Sequence, residues 1–181
     1  NDTFYSTNWF DLGTSPVILS VPETHGRYYV LALVGADLNT FGYIGRRISG
    51  TSARRIAIVA PDWHGPLPAV DQLVRAPTRD VYVNMRVLVQ GPDDLNAAHA
   101  VQDGFKATLL NGAAGTDEPR ITPSLGNWQR FVDVSNEALS RNPPPTSEAA
   151  LLGRLAQVGI CGKACSWTDL PINVQARWRA L

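Results

Sequence analysis

From residue 81 to 90 the chain alternates cleanly. Val81, Val83, Met85, Val87 and Val89 fall on one side, and Tyr82, Asn84, Arg86 and Gln90 fall mostly on the other. A period of two is the repeat of a β-strand with one face on a core and one in water. The stretch 27–34 is apolar on both faces and reads as a central strand. Six further β-prone stretches are 5–11, 17–21, 41–44, 55–60, 72–75 and 105–110. Turn-forming residues at 13–16, 22–26, 45–50 and 76–78 separate most of them. Eight short strands at this spacing predict a mainly β domain, an antiparallel β-sandwich of immunoglobulin-like or jelly-roll type. Between the last two strands, Pro92-Asp93-Asp94 opens a short helix to about Asp103, with two aspartates well placed at its N-terminus.

Past residue 110 the period changes. A turn-rich connector covers 111–126, and three helices follow. In the first, Trp128, Phe131, Val132, Ser135 and Leu139 form a largely apolar stripe that Asn142 and Pro143-Pro144-Pro145 terminate. The second runs from about Ser147 to Val158 on Leu151, Leu152, Leu155 and Val158, with Gly159 as the residue just past its end. The third has Asp169 as cap, Pro171 in its first turn, and a stripe of Leu170, Val174, Trp178 and Leu181. The expected organisation is a β-sandwich domain over 1–112 and a three-helix subdomain over 113–181. Because the last stripe stays apolar to Leu181, Trp178 and Leu181 are expected to line an exposed patch or an interface. The partner would be a second β-domain of the same parent protein or another copy of the chain.

Composition removes several functions. Sixteen basic and sixteen acidic residues cancel, and the basic ones form no longer run than Arg46-Arg47 and Arg54-Arg55, so no nucleic-acid partner is expected. No apolar stretch approaches the roughly 20 residues of a membrane span. The chain begins at Asn1 with neither a start methionine nor a signal peptide. It reads as a processed product, a trimmed piece or the ordered part of something longer, and argues nothing for the cytoplasm.

Catalytic and cofactor signatures are incomplete. A nucleophile elbow is missing; Gly50-Thr51-Ser52-Ala53 comes nearest and lacks the second glycine. His25, His64 and His99 lack metal-ligand spacing, and neither a dinucleotide fingerprint nor a phosphate loop occurs, so no cofactor is expected. Cys161 and Cys165, with only Gly-Lys-Ala between them, are too few for a structural zinc site. They read first as a disulfide contributing roughly 2 kcal/mol, with two free thiols, or metal or redox chemistry, as alternatives.

Two groups of residues remain as candidate ligand sites. The run Pro61-Asp62-Trp63-His64-Gly65-Pro66-Leu67-Pro68 forbids helix and makes a rigid inter-strand corner. Trp63 is expected to be largely buried there as an anchor, with a sugar-stacking platform as the alternative. His64 is a turn histidine, or, beside Asp62, a proton-transfer group. The second group is Asp2, Tyr5, Arg27, Tyr29 and Arg86. Arginines on sandwich strands need partners, for which Asp2 and Asp11 are the candidates. The set is either an ion-paired network fixing register or a polar cleft for an anionic or polyhydroxy ligand.

The ordered set Asn1-Asp2-Thr3-Phe4-Tyr5-Ser6, Asp11-Leu12, Pro16-Val17, Val21-Pro22, Arg27-Tyr28-Tyr29, Ile44-Gly45-Arg46-Arg47, the proline corner, Pro77-Thr78, Arg86, Asp93-Asp94 and Gln102 resembles the bacterial domain-of-unknown-function family numbered 1254. The likeness extends over nearly the whole chain, including the Asn142-Pro143-Pro144-Pro145 break. It implies an immunoglobulin-like β-sandwich with a small helical subdomain. It also implies a following β-domain of the family numbered 1214, absent here, and a longer N-terminal helical region. Many such proteins are exported, which implies a periplasmic or secreted setting and an oxidised Cys161–Cys165 pair. The chain departs from the family pattern at Gly35-Ala36-Asp37-Leu38, where an aspartate-tryptophan element is usual, and at His64. The leading functional expectation is a binding or protein-contact module without an assigned reaction. The alternative is a hydrolase or lyase acting on a polysaccharide or other envelope polymer.

Overall fold

Alternation along the first 110 residues is what lets two sheets share one core. The computed structural model describes residues 2–111 and 126–181. The chain divides into two compact units, Asn1–Thr116 and Asp117–Leu181. The connector expected over 111–126 lies, apart from its end residues, outside the described residues.

In the first unit the strands are β1 (Thr3–Asp11), β2 (Val17–Val21), β3 (Tyr29–Gly35), β4 (Thr40–Gly45), β5 (Arg54–Val59), β6 (Gln72–Arg75), β7 (Asp80–Leu88) and β8 (Lys106–Leu109). One sheet has the order β1-β7-β3-β4 and the other β6-β5-β2-β8. Tyr29, Leu31, Leu33, Val81, Val83, Met85 and Val87 of the first sheet meet Val17, Leu19, Val21, Ile56 and Ile58 of the second in one apolar cluster. Burial of β3 alternates along its length, so Val30, Ala32 and Val34 are half-buried on the outer face, although the strand is interior to its sheet. Two helices accompany the sheets: α1 (Arg46–Ser49), where the sequence showed only turn residues, and α2 (Leu95–Gly104) after a 3₁₀ turn at Pro92–Asp94.

The expectation of purely antiparallel pairing needs one correction: β5 and β6 run parallel. A parallel neighbour cannot be reached by a hairpin and needs a crossover of about a dozen residues. Residues 60–71, which contain the proline corner, are that crossover. One Arg75 guanidinium nitrogen donates to the carbonyls of Ala60, Pro61 and Trp63 at 3.0, 3.0 and 2.9 Å, tying the corner to the strand it serves.

The second unit contains α3 (Trp128–Arg141), α4 (Ala149–Ala156) and α5 (Ile172–Arg179). Asn127 caps α3 by accepting from the Arg130 amide at 3.0 Å. The cap expected at Asp169 is not formed. Pro171 occupies the position before α5, and the Asp169 carboxylate accepts from the Ser166 hydroxyl instead. Trp128, Phe131 and Trp178 pack ring against ring at 5.7–6.2 Å, and the Trp178 indole donates to the Val158 carbonyl. Trp178 is therefore half-buried within its own unit, whereas Leu181 is 81% exposed. Cys161 and Cys165 are joined by a disulfide with 5.3 Å between their Cα atoms.

Candidate functional site

Strand register builds a cleft on the outer face of the β1-β7-β3-β4 sheet. Residue Arg86 pairs with Tyr5 on one side and Val30 on the other, and Val30 pairs with Gly45. The next row runs Thr7, Asn84, Ala32, Tyr43. Small residues in the middle and tyrosines at the sides leave a depression of about 490 Å³, lined by Asp2, Tyr5, Tyr28, Tyr43, Asn84 and Arg86 among others. Gly45 is required here, since a Cβ would lie 2.7 Å from the Tyr29 carbonyl oxygen.

The Arg86 guanidinium lies 4.7 Å above the Tyr5 ring centroid, and among the described residues it makes no ion pair. Cation–π stacking holds the charge in place without neutralising it. Asn84 contributes a buried side-chain carbonyl oxygen that has no hydrogen-bond partner among the described residues. An unsatisfied buried acceptor costs about 1–3 kcal/mol. Tyr5 and Tyr43 are 49% and 50% exposed, open to a ligand's faces. The adjoining Trp9–Tyr82 pair, 5.2 Å between ring centroids, extends the aromatic surface along the same face.

The structure thus brings Asp2, Tyr5 and Arg86 together and leaves the other candidates elsewhere. Tyr29 is fully buried, stacked against Phe105 and donating its hydroxyl to the Gly50 carbonyl at 3.0 Å; burial holds its phenol above the usual range. Arg27 is paired with neither Asp2 nor Asp11. It grips Asp94 with two nitrogens at 2.5 and 2.6 Å and donates to the Leu88 carbonyl. Asp11 pairs with Arg79 at 2.6 Å. Loop closure sets these partners: by sequence Asp94 is a helix-terminal residue, and in the fold it bridges the turn to the start of β3. Trp63 is partly buried and packs against the core, and His64 is exposed. Neither belongs to the cleft. Tyr28, Tyr43 and Asn84 were not singled out from sequence. Alternation placed Asn84 on the polar face of its strand, but its neighbours depend on the strand order.

The Arg27–Asp94 pair makes a pH prediction. Arg27 first, then the Gln90 amide, lowers the Asp94 carboxyl to about 2, and Asp94 in turn raises the Arg27 guanidinium. A carboxyl whose folded value lies below its unfolded value of about 3.9 stabilises the fold above that value and loses the contribution as pH falls toward 2. Asp94→Asn should therefore flatten the loss of thermal stability between about pH 4 and pH 2, measured by melting curves. An acid limb identical to that of the parent protein would remove the pair from the account.

Among the described residues, no group of three or more His, Cys, Asp or Glu is placed to hold a metal, and no helix is long and apolar enough to cross a membrane. Fold and cleft together define a class: a two-sheet β-domain with helices, carrying an arginine-centred aromatic cleft on the outer face of one sheet. The chain belongs to the family described as Protein of unknown function (DUF1254), which matches residues 1–109. It is similar in fold to the crystal structure of the VPA0106 protein from Vibrio parahaemolyticus. The TM-score is 0.79 at 24% identity, covering 99% of this chain and 46% of that one. The chain thus spans about half the length of that solved relative. No curated protein matches it.

Proposed function

We propose that this chain is a binding module of a larger exported bacterial protein, and that its ligand, an acidic polyhydroxy compound such as a uronate-bearing oligosaccharide, sits in the outer cleft around Arg86. Residues 1–112 form the ligand-binding β-sandwich, immunoglobulin-like or jelly-roll in topology. Residues 113–181 form a helical subdomain that meets a second β-domain or another copy. The Cys161–Cys165 disulfide and the 46% coverage of a longer relative support an oxidising setting and a larger parent.

The observation that carries the reading is the Arg86 guanidinium stacked on Tyr5, in a cleft that Asn84 also lines. Exposed tyrosine faces suit the apolar faces of sugar rings, and an unneutralised guanidinium suits a carboxylate. Among the described residues that line the cleft, Asp2 is the sole carboxylate, and Arg86 meets the tyrosine through its ring, so the geometry favours holding a ligand over the paired acid–base work of a hydrolase.

Isothermal titration against uronate oligosaccharides and matched neutral ones tests this. Saturable binding of the acidic series is expected, weakened roughly 10–100-fold in Arg86→Ala, the loss of one charged hydrogen bond of about 1.5–3 kcal/mol. Equal affinity for both series, or an Arg86→Ala protein that binds unchanged, would overturn it.

A further inference from the structure

The outer cleft does not end at Arg86. Toward β4, on the same face, lies a second depression of about 210 Å³, and Tyr28, Val30 and Tyr43 line both. Antiparallel pairing of Val30 with Gly45 brings together Tyr28, two residues upstream of Val30, and Arg47, two residues downstream of Gly45. The Arg47 guanidinium accordingly lies over the Tyr28 ring, 5.7 Å from its centroid. Gly45 comes between Tyr43 and Arg47 in the chain, all three line the depression, and the lack of a side chain at Gly45 keeps the floor open.

The arrangement repeats that of Arg86 on Tyr5, an arginine held against a tyrosine ring. Among the described residues Arg47 makes no ion pair, and none of those that line the second depression is a carboxylate. The anchoring rings belong to β1 and to the residue just before β3, with β7 between them. Their backbones therefore stand roughly 10 Å apart, twice the spacing of neighbouring strands. A carboxylate held against Arg86 leaves Arg47 for another one farther along the ligand. Building on the reading of the outer cleft given above, we propose that Arg47 and Tyr28 form a second acid-binding subsite. The cleft then selects a chain of at least two uronate units over a single one, with Arg86 and Arg47 meeting different carboxylates.

Galacturonate and its oligomers of two, three and four units, titrated calorimetrically into the parent chain and its variants, test this. Affinity for the parent should rise between one unit and four by roughly tenfold or more, the gain from one added charged hydrogen bond. Arg47→Ala, made at an exposed position, should lose that rise, and Arg47→Glu should bind the four-unit acid more weakly still. Arg86→Ala should weaken every length. Equal affinity for one unit and four, or a rise that persists in Arg47→Ala, would overturn the second subsite, while binding that still depends on Arg86 would leave the proposed function standing. A loss of the same size at every length in Arg47→Ala would make Arg47 part of the first subsite and overturn the second. Binding of no acid at any length would overturn both readings.

Discussion

Asn136→Ala should unfold the second unit at markedly lower denaturant than the parent protein, by about 3–5 kcal/mol. Asn136 is buried inside α3, and all of its side-chain capacity but one hydrogen is committed. Its oxygen accepts from the Cys161 and Gly162 amides at 2.8 and 2.9 Å, and its nitrogen donates to the Gly159 carbonyl at 2.9 Å. Gly162 is itself buried with φ +71°, a conformation glycine holds without strain, so the loop comes close enough to be gripped. Truncation leaves two amides and a carbonyl without their partner, each costing about 1–3 kcal/mol where water does not reach. Tryptophan emission suits the measurement, since Trp128, Trp167 and Trp178 all lie in this unit. An unfolding midpoint within error of the parent protein would show that the loop is held by the disulfide alone.

Tyr29→Ala should cost the first unit about 3–5 kcal/mol, the usual range for truncating a buried aromatic side chain. The ring is fully enclosed between the sheets and tilted against Phe105. Tyr29→Phe separates the two contributions: it keeps the packing and removes only the hydrogen bond to Gly50, so about 1 kcal/mol should be lost. Titration of the Phe variant with a cleft ligand then distinguishes a core residue from a contact residue. Stability loss with unchanged affinity is expected; a tenfold weaker complex in Tyr29→Phe would return Tyr29 to the site.

Why did the strands read so well and the site so unevenly? Strand positions follow from side-chain period, a local property, and Val81 to Val87 face the core as their alternation requires. The parallel β5–β6 pair escaped because a proline corner signals a bend without giving the direction of return. Asp2, Tyr5 and Arg86 were legible as polar candidates, and Tyr5 and Arg86 form a registered pair once β1 lies beside β7. Tyr43 joins them across β3 only when the order β1-β7-β3-β4 is known. Asn136 was invisible for the opposite reason: a polar residue one step along an amphipathic stripe looks like surface until its partners, more than twenty residues away, are in place.

Pairing of β1 with β7 and of β2 with β8 sets the order in which this domain comes into being. Thr3 must wait for Leu88, and Val17 for Leu109, so both N-terminal strands leave a ribosome long before one of their neighbours exists. Closing loops of that length before any contact rewards them makes for slow, late-committing assembly. During that interval β1, with no lysine or proline among its nine residues, is an unguarded edge for intermolecular pairing. Expression yield should therefore respond more to synthesis rate and chaperone supply than the equilibrium stability of the finished core would suggest.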